Sequence, residues 1–184
     1  MKSHGSLIRT IAAGCLCAVL LIGCVEQSDD TIVVGLSADI TTFEPGMISS
    51  RDNSNIARHI FSSLFALGPE GEHIPELAHT LDITEDGTGY IYTLNEGLTC
   101  HDGESLTAED VAYTFNRIAD PVNRFTGNAP GFVFTSIGFQ NAEALDELRV
   151  QINIERKNPI AFGLITEIAV HCKDSYEQMS LDEA

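Results

Sequence analysis

The sequence predicts an α/β fold with a mixed sheet, and three patterns carry this prediction. Tyr90, Tyr92 and Leu94 alternate with Ile91 and Thr93 soon after the turn pair Asp86-Gly87, which is typical of a β-hairpin. An amphipathic helix pattern begins directly after Thr107. Further strand and helix patterns alternate along the rest of the chain, an order that favours an α/β domain.

Two elements are predicted before residue 68. Residues 31–36 are rich in β-branched side chains and predict a buried first strand. After a loop, Ile56, Ile60 and Leu64 recur every four residues. That spacing places them on one helix face, so a helix is expected from about residue 53 to 67.

A hairpin and a capped helix are predicted in the middle of the chain. The hairpin spans residues 81–94, and a short further strand ends at Cys100. The helix is expected over about residues 108–118. Thr107 can accept a hydrogen bond from the first helical turn, and Asp110 stands at the position of a capping-box partner.

The remaining elements are predicted from shorter patterns. They are, in order, a loop at 123–136, strands at 137–140 and 148–154, a helix at 159–167 and a final strand at 168–172. The whole chain has 184 residues, enough for one domain with a sizeable core.

The first 23 residues are predicted to be a lipoprotein signal peptide. Lys2 and Arg9 precede an apolar run at 11–22, and the Leu-x-Gly-Cys ending at Cys24 is typical of lipoprotein processing. A transmembrane anchor is the alternative, but the run is shorter than the roughly 20 residues that a spanning helix needs. The lipid is therefore expected on Cys24. The signal peptide, a tether and the folded part are assigned to residues 1–23, 24–30 and 31–184.

The charge balance excludes two classes of partner. The chain has 27 acidic and 10 basic residues and a formal charge of −17. Because residues 1–23 hold two of the basic residues and none of the acidic ones, the charge without them is −19. Such a chain lacks the basic stripe that nucleic-acid binding requires. Docking on anionic lipid by charge is also excluded, so attachment to a membrane would depend on the lipid at Cys24.

Three sequence blocks resemble one protein family. Residues from His101 to Val111 read HDGESLTAEDV and resemble the HDG-x-x-x-TAEDV signature of the extracellular solute-binding proteins of family 5, which include the dipeptide- and oligopeptide-binding proteins of ABC importers. Residues 74–78 resemble the family's P-x-LA element, and residues 84–90 its S-x-DG-x-x-Y hairpin. The resemblance covers about residues 31–176.

This resemblance implies a periplasmic-binding-protein fold of class II, the two-lobed Venus flytrap. Family members are far longer, so residues 31–184 are expected to hold only the first part of it, as a fragment or a truncated gene product. The implied protein is lipid-anchored at the extracytoplasmic face and captures peptides or a peptide-like solute for an ABC permease complex. The alternatives are a truncated interaction lipoprotein, a non-functional fragment, or a relative that binds a nickel chelate or haem.

The resemblance places the ligand cleft near two loops. Thr41 and Phe43 lie on the loop after the first strand, and Phe125 and Phe132 lie on the loop after the capped helix. Residues 43–45 stand where the family usually carries L-D-P. No residue is assigned to a peptide's terminal ammonium group, because the family's acidic group for it comes from a much later region.

Two thiols remain if residues 1–23 are removed and Cys24 is acylated: those of Cys100 and Cys172. An extracytoplasmic location permits a disulfide between them. A buried free thiol explains Cys100 equally well, because the family commonly has a large apolar residue there. Both interpretations stay open.

No catalytic residue, metal site or cofactor is expected. The pairs Cys100-His101 and His171-Cys172 are adjacent, and neighbouring side chains of an extended chain point to opposite faces. The histidines show none of the tight spacings of zinc sites. A hydrolase is therefore the third hypothesis, and it would need a reactive thiol at Cys100.

Overall fold

Six strands and five helices form within residues 32–177, the part of the chain that the structure, a computed structural model, describes. The strands are β1 (Phe65–Leu67), β2 (His73–Pro75), β3 (Ala78–Ile83), β4 (Gly89–Leu94), β5 (Phe139–Ala144) and β6 (Arg149–Ile154). The helices are α1 (Arg51–Ala57), α2 (Ala108–Ala119), α3 (Thr135–Ile137), α4 (Ala161–Ile165) and α5 (Lys173–Glu177). Short 3₁₀ turns occupy Pro45–Met47 and Pro121–Asn123, and a π-helical segment, Ala129–Phe134, runs directly into α3.

The predicted hairpin is formed by β3 and β4. Gly87 takes a φ of 73° at its turn, a left-handed conformation that glycine adopts without steric cost. The Thr84 hydroxyl donates a hydrogen bond to the Asp86 carboxylate at 2.6 Å and closes the turn. The sheet order is β3-β4-β6-β5. Every pairing among the described strands is antiparallel, so the mixed pairing expected from the sequence is not found in residues 32–177.

Helix α2 packs on this sheet, and its buried side chains form part of the hydrophobic core. Thr107 and Asp110 form the predicted capping box, and the helix prediction is confirmed. Val111 and Phe115 are 0% exposed. They are buried together with sheet residues such as Tyr92, and this burial fixes the helix against the face of the sheet.

The helix predicted at 53–67 is shorter than expected. It ends at Ala57, and Phe65–Leu67 instead pairs with His73–Pro75. Leu64 is fully buried beside this pair, whereas Ile60 is 40% exposed. The four-residue spacing therefore does not mark one helix face, because Ile56 lies in α1, Ile60 is exposed after the helix ends, and Leu64 is buried just before β1.

Four further predictions differ from the structure. Residues 32–36 form no strand, and Ile32–Val34 are exposed where the prediction expected them to be buried. The strand expected to end at Cys100 is reduced to a single bridge between Thr99 and Ser105. The loop predicted at 123–136 contains the π-helical segment. Residues 168–172 are mostly buried but form no strand, because their one backbone–backbone hydrogen bond to a distant part of the described chain joins the Val170 N–H to the Ser62 carbonyl.

The shorter predictions near the C-terminal part are confirmed with shifted bounds, namely β5, β6 and α4. No helix within residues 32–177 has the length and apolar character needed to cross a membrane. The signal peptide, Cys24 and the tether lie outside the described residues.

Candidate functional site

A cavity of about 590 Å³ lies between α1, the π-helical segment and the chain that follows α4. Its walls are mainly apolar. They include Pro45, Ile48, Ile118, Phe132, Leu164 and Ile168. A mostly apolar cavity of this size, with a few polar groups, is typical of a small-molecule site.

Three charged side chains border the cavity. The Arg58 guanidinium donates to the Glu167 carboxylate at 2.8 Å, and both side chains are about half exposed. Glu76 Oε2 accepts hydrogen bonds from the Ser63 N–H at 2.8 Å and from its hydroxyl at 3.0 Å. The cavity therefore combines an apolar body with one ion pair and one further carboxylate at its edge.

One wall of the cavity is built from two loops joined by backbone hydrogen bonds. The Gly127 N–H donates to the Gly46 carbonyl at 2.9 Å, and the Asn128 N–H donates to the Ile48 carbonyl at 2.8 Å. A Cβ atom on Gly127 would lie 2.6 Å from the Gly46 carbonyl oxygen. Only glycine permits this approach, which fixes the 3₁₀ turn against the start of the π-helical segment.

The four residues expected to contact ligand lie in different places. Phe132 lines the cavity and is 61% exposed. Phe125, Thr41 and Phe43 are not part of the lining. The Phe125 ring packs against Gly46, where a Cβ would lie only 2.6 Å from the ring, and it thereby supports the wall from behind.

Thr41 and Phe43 lie on the loop before the 3₁₀ turn. The Thr41 hydroxyl accepts a hydrogen bond from the Asn53 side chain at 3.1 Å, and Phe43 is 41% exposed. Asn53 is 1% exposed and also donates to the Thr42 carbonyl at 3.2 Å. Thr41 therefore helps to fix the loop.

A buried ion pair lies behind the same wall, and sequence reasoning missed it. Arg117 Nη1 donates to Glu44 Oε1 at 2.9 Å, and these side chains are 9% and 3% exposed. The Gly46 N–H also donates to Glu44 Oε1, at 3.0 Å. The position of Glu44 within residues 43–45 was a signal for a structural carboxylate, but nothing local to Arg117 indicated a partner 73 residues away.

Two aromatic residues extend this buried group toward α5. The His171 and Tyr176 rings stack with centroids 4.2 Å apart, and the Arg117 guanidinium carbon lies 5.1 Å from the centre of the Tyr176 ring. Burial chiefly, with the Arg117 charge second, lowers the pKa of His171 to about 3. Burial raises the pKa of Tyr176 to about 12. Both side chains are therefore neutral near pH 7 and serve packing.

Cys100 and Cys172 form a disulfide in the structure, with their Cα atoms 6.3 Å apart. Their sulfur atoms and an Asp110 carboxylate oxygen lie within 4.8 Å of one another. The sulfurs are bonded to each other, and the Asp110 carboxylate accepts hydrogen bonds from the Thr107 and Lys173 N–H groups, both at 2.8 Å. In this state the cluster offers neither a thiolate nucleophile nor a free set of metal ligands.

Comparison with known proteins gives one family match. Residues 72–183 match the bacterial extracellular solute-binding proteins, family 5 Middle. A curated relative, the glutathione-binding protein GsiB of Pectobacterium atrosepticum, is 28% identical over 145 residues, which are 79% of this chain and 27% of the relative.

Solved structures resemble this chain in fold. The ABC transporter substrate-binding protein CtaP of Listeria monocytogenes is 30% identical, with a TM-score of 0.68 over 82% of this chain and 30% of that chain. NikZ of Campylobacter jejuni, solved with Ni(L-His), is 22% identical with a TM-score of 0.71 over 84% of this chain and 30% of that one, a likeness of fold alone. This chain thus spans less than a third of the length of these proteins. The predicted α/β class and periplasmic-binding-protein type are confirmed.

Proposed function

Because this chain belongs to the bacterial extracellular solute-binding proteins of family 5, we propose that it captures peptides or a peptide-like solute for an ABC importer. The observation that carries the proposal is the cavity of about 590 Å³. Ligand pockets span roughly 300–1,000 Å³, and this one has the apolar walls and sparse polar groups that hold a short peptide. Binding is noncovalent, and the protein is not an enzyme.

Attachment to the membrane belongs to the same proposal. Residues 1–23 direct export, the lipid on Cys24 holds the protein at the extracytoplasmic face, and residues 24–30 connect it to the folded part. The partner that receives the solute is an ABC permease complex. Labelling with a palmitate analogue in a bacterial host tests the anchor: we expect label on the full chain and none on Cys24→Ala. Equal label on both would contradict a lipid at this residue.

Calorimetric titration of the detergent-solubilised full chain tests the capture of solute. The ligands are defined pools of di- to pentapeptides, with nickel–histidine and haem as separate arms. We expect heat from at least one peptide pool. Heat only from nickel–histidine or haem would replace peptides with that class of solute. No heat from any arm would favour the interaction lipoprotein or the non-functional chain.

Matched variants decide whether the cavity is the site. Phe132 and Ile160 are both large, exposed apolar residues, at 61% and 56%, but only Phe132 lines the cavity. We expect Phe132→Ala to weaken peptide binding by about tenfold, because an aromatic contact of about 1.4 kcal/mol is lost. Ile160→Ala is expected to bind as the unmodified chain does.

A further inference from the structure

Arg117 contacts three segments that are distant in sequence. It lies in the last turn of α2, and its Nη1 donates to Glu44 at 2.9 Å. Its guanidinium carbon lies 4.8 Å from the centre of the Phe125 ring and 5.1 Å from the centre of the Tyr176 ring. One side chain thus joins the loop before α1, the loop after α2 and helix α5.

This set of contacts is specific to arginine. A planar guanidinium can present an edge to a carboxylate and its faces to aromatic rings, whereas the lysine ammonium is a compact point charge. The ion pair is almost fully buried, so water screens it little. Glu44 Oε2 has no hydrogen-bond partner within the described part of the chain, so the Glu44 charge depends on Arg117 and the Gly46 N–H.

The contacts of Arg117 lead directly to the cavity. Glu44 precedes Pro45, which lines the cavity, and the Phe125 ring packs on Gly46 of the same turn. Two residues after Phe125, the Gly127 N–H begins the pair of backbone hydrogen bonds that joins the two loops of the wall. Arg117 is not part of the cavity lining. Any effect that it has on a bound solute must pass through the wall.

We propose that Arg117 is a positioning residue of the solute cavity. It holds the wall formed by the 3₁₀ turn and the start of the π-helical segment in one arrangement, through Glu44 on one loop and Phe125 on the other. It touches no solute. The proposal rests on the proposed function for the role of the cavity, but the contacts themselves can be tested without a ligand.

Amide hydrogen exchange measured by NMR on the full chain tests this role. In Arg117→Lys the charge remains and the planar contacts are lost, so we expect the Gly127 and Asn128 amides to exchange about tenfold faster through local opening. Amides of β4 and β6 should keep their rates. Glu44→Gln, a second variant, should give the same pattern, and Arg149→Lys, in an exposed pair with Asp146, should change neither set.

Two exchange results would overturn the proposal. Unchanged rates at Gly127 and Asn128 would show that Arg117 does not hold the wall. A uniform increase across the wall and the sheet would show a general loss of stability instead. A peptide titration distinguishes failure of this proposal from failure of the proposed function. We expect Arg117→Lys to weaken peptide binding even though Arg117 does not line the cavity. If the unmodified chain binds no peptide, the proposed function fails, while the exchange rates still decide whether Arg117 holds the wall.

Discussion

Thr114 and His171 exchange hydrogen bonds in the core of the protein. The Thr114 hydroxyl accepts from the His171 N–H at 3.2 Å, and its single proton is shared between the His171 carbonyl at 3.0 Å and the Asp110 carbonyl, one helical turn earlier, at 2.9 Å. The residues are 0% and 3% exposed. One hydroxyl on α2 thereby satisfies both backbone groups of a buried residue that belongs to no helix or strand, and it fixes the chain between α4 and α5 against α2.

Replacement of Thr114 by valine should be costly. The shape is kept, but two buried backbone groups of His171 lose their partner, and we expect the free energy of unfolding to fall by about 2 kcal/mol. Urea denaturation measures this. Thr114→Ser keeps the hydroxyl and should lose less, and Thr80→Val on the exposed side of β3 should have little effect. Equal losses for the valine and serine variants would mean that the hydroxyl does not account for the change in the free energy of unfolding.

Acid should destabilise the protein through His171. Its pKa is lowered to about 3 by burial and by Arg117, against an ordinary value near 6.5. Between these two pH values the unfolded chain binds a proton that the folded chain does not. The stability present above pH 6.5 is therefore lost as the pH falls, by about 1.4 kcal/mol per pH unit.

The variant His171→Phe isolates this contribution, since it keeps the aromatic stack with Tyr176 and cannot titrate. Denaturation between pH 6 and 4.5 should show a steeper loss for the unmodified chain than for the variant. Carboxylates such as Asp102, whose pKa the Ser175 hydroxyl lowers, add to the loss of stability at lower pH. They do so equally in the unmodified chain and in the variant. Equal slopes would contradict a buried neutral imidazole.

The disulfide between Cys100 and Cys172 should contribute strongly to stability. It closes a loop with a sequence separation of 72 residues, and a crosslink of that length restricts the unfolded chain by roughly 4 kcal/mol. A reductant should lower the free energy of unfolding by this order, and a double serine variant should start lower and not respond. Alkylation of both cysteines in denaturant without reductant would show that they are free thiols.

The two residues of the capping box, Thr107 and Asp110, should contribute unequally to the free energy of unfolding. Thr107→Ala removes one cap and should cost about 1 kcal/mol. Asp110→Ala should cost about 2 kcal/mol, because the buried carboxylate also accepts from the Lys173 N–H at the start of α5. Thermal or urea denaturation of the two variants gives the comparison. A loss from Asp110→Ala no larger than that from Thr107→Ala would mean that the contact with α5 adds nothing.

The elements that could be predicted depend on neighbours in sequence. Asp86-Gly87 and the pair Thr107 and Asp110 act within a few residues, so the hairpin and α2 are visible in the sequence. Leu64 shows why other predictions were wrong. Its spacing from Ile60 fits a helix, but its burial is satisfied beside a strand pair that only the fold creates.

The site was harder to predict than the fold. The sequence singled out Phe132, which lines the cavity, whereas the place of Phe125 depends on Gly46 and Arg117, which tertiary structure brings to it. The Glu44–Arg117 pair joins residues 73 positions apart, and the sequence around each residue gives no indication of its partner. Long-range polar contacts of this kind carry no periodic signal.

The claim that the cavity captures the solute can be tested directly by NMR, with amide spectra recorded as a binding peptide pool is added to the chain. We predict saturable shifts around Phe132 and across residues 164–169, with Phe132→Ala reducing them in parallel with affinity. Shifts confined to the far edge of the sheet, around Asn141 on β5, or no saturable shift at all, would contradict the account.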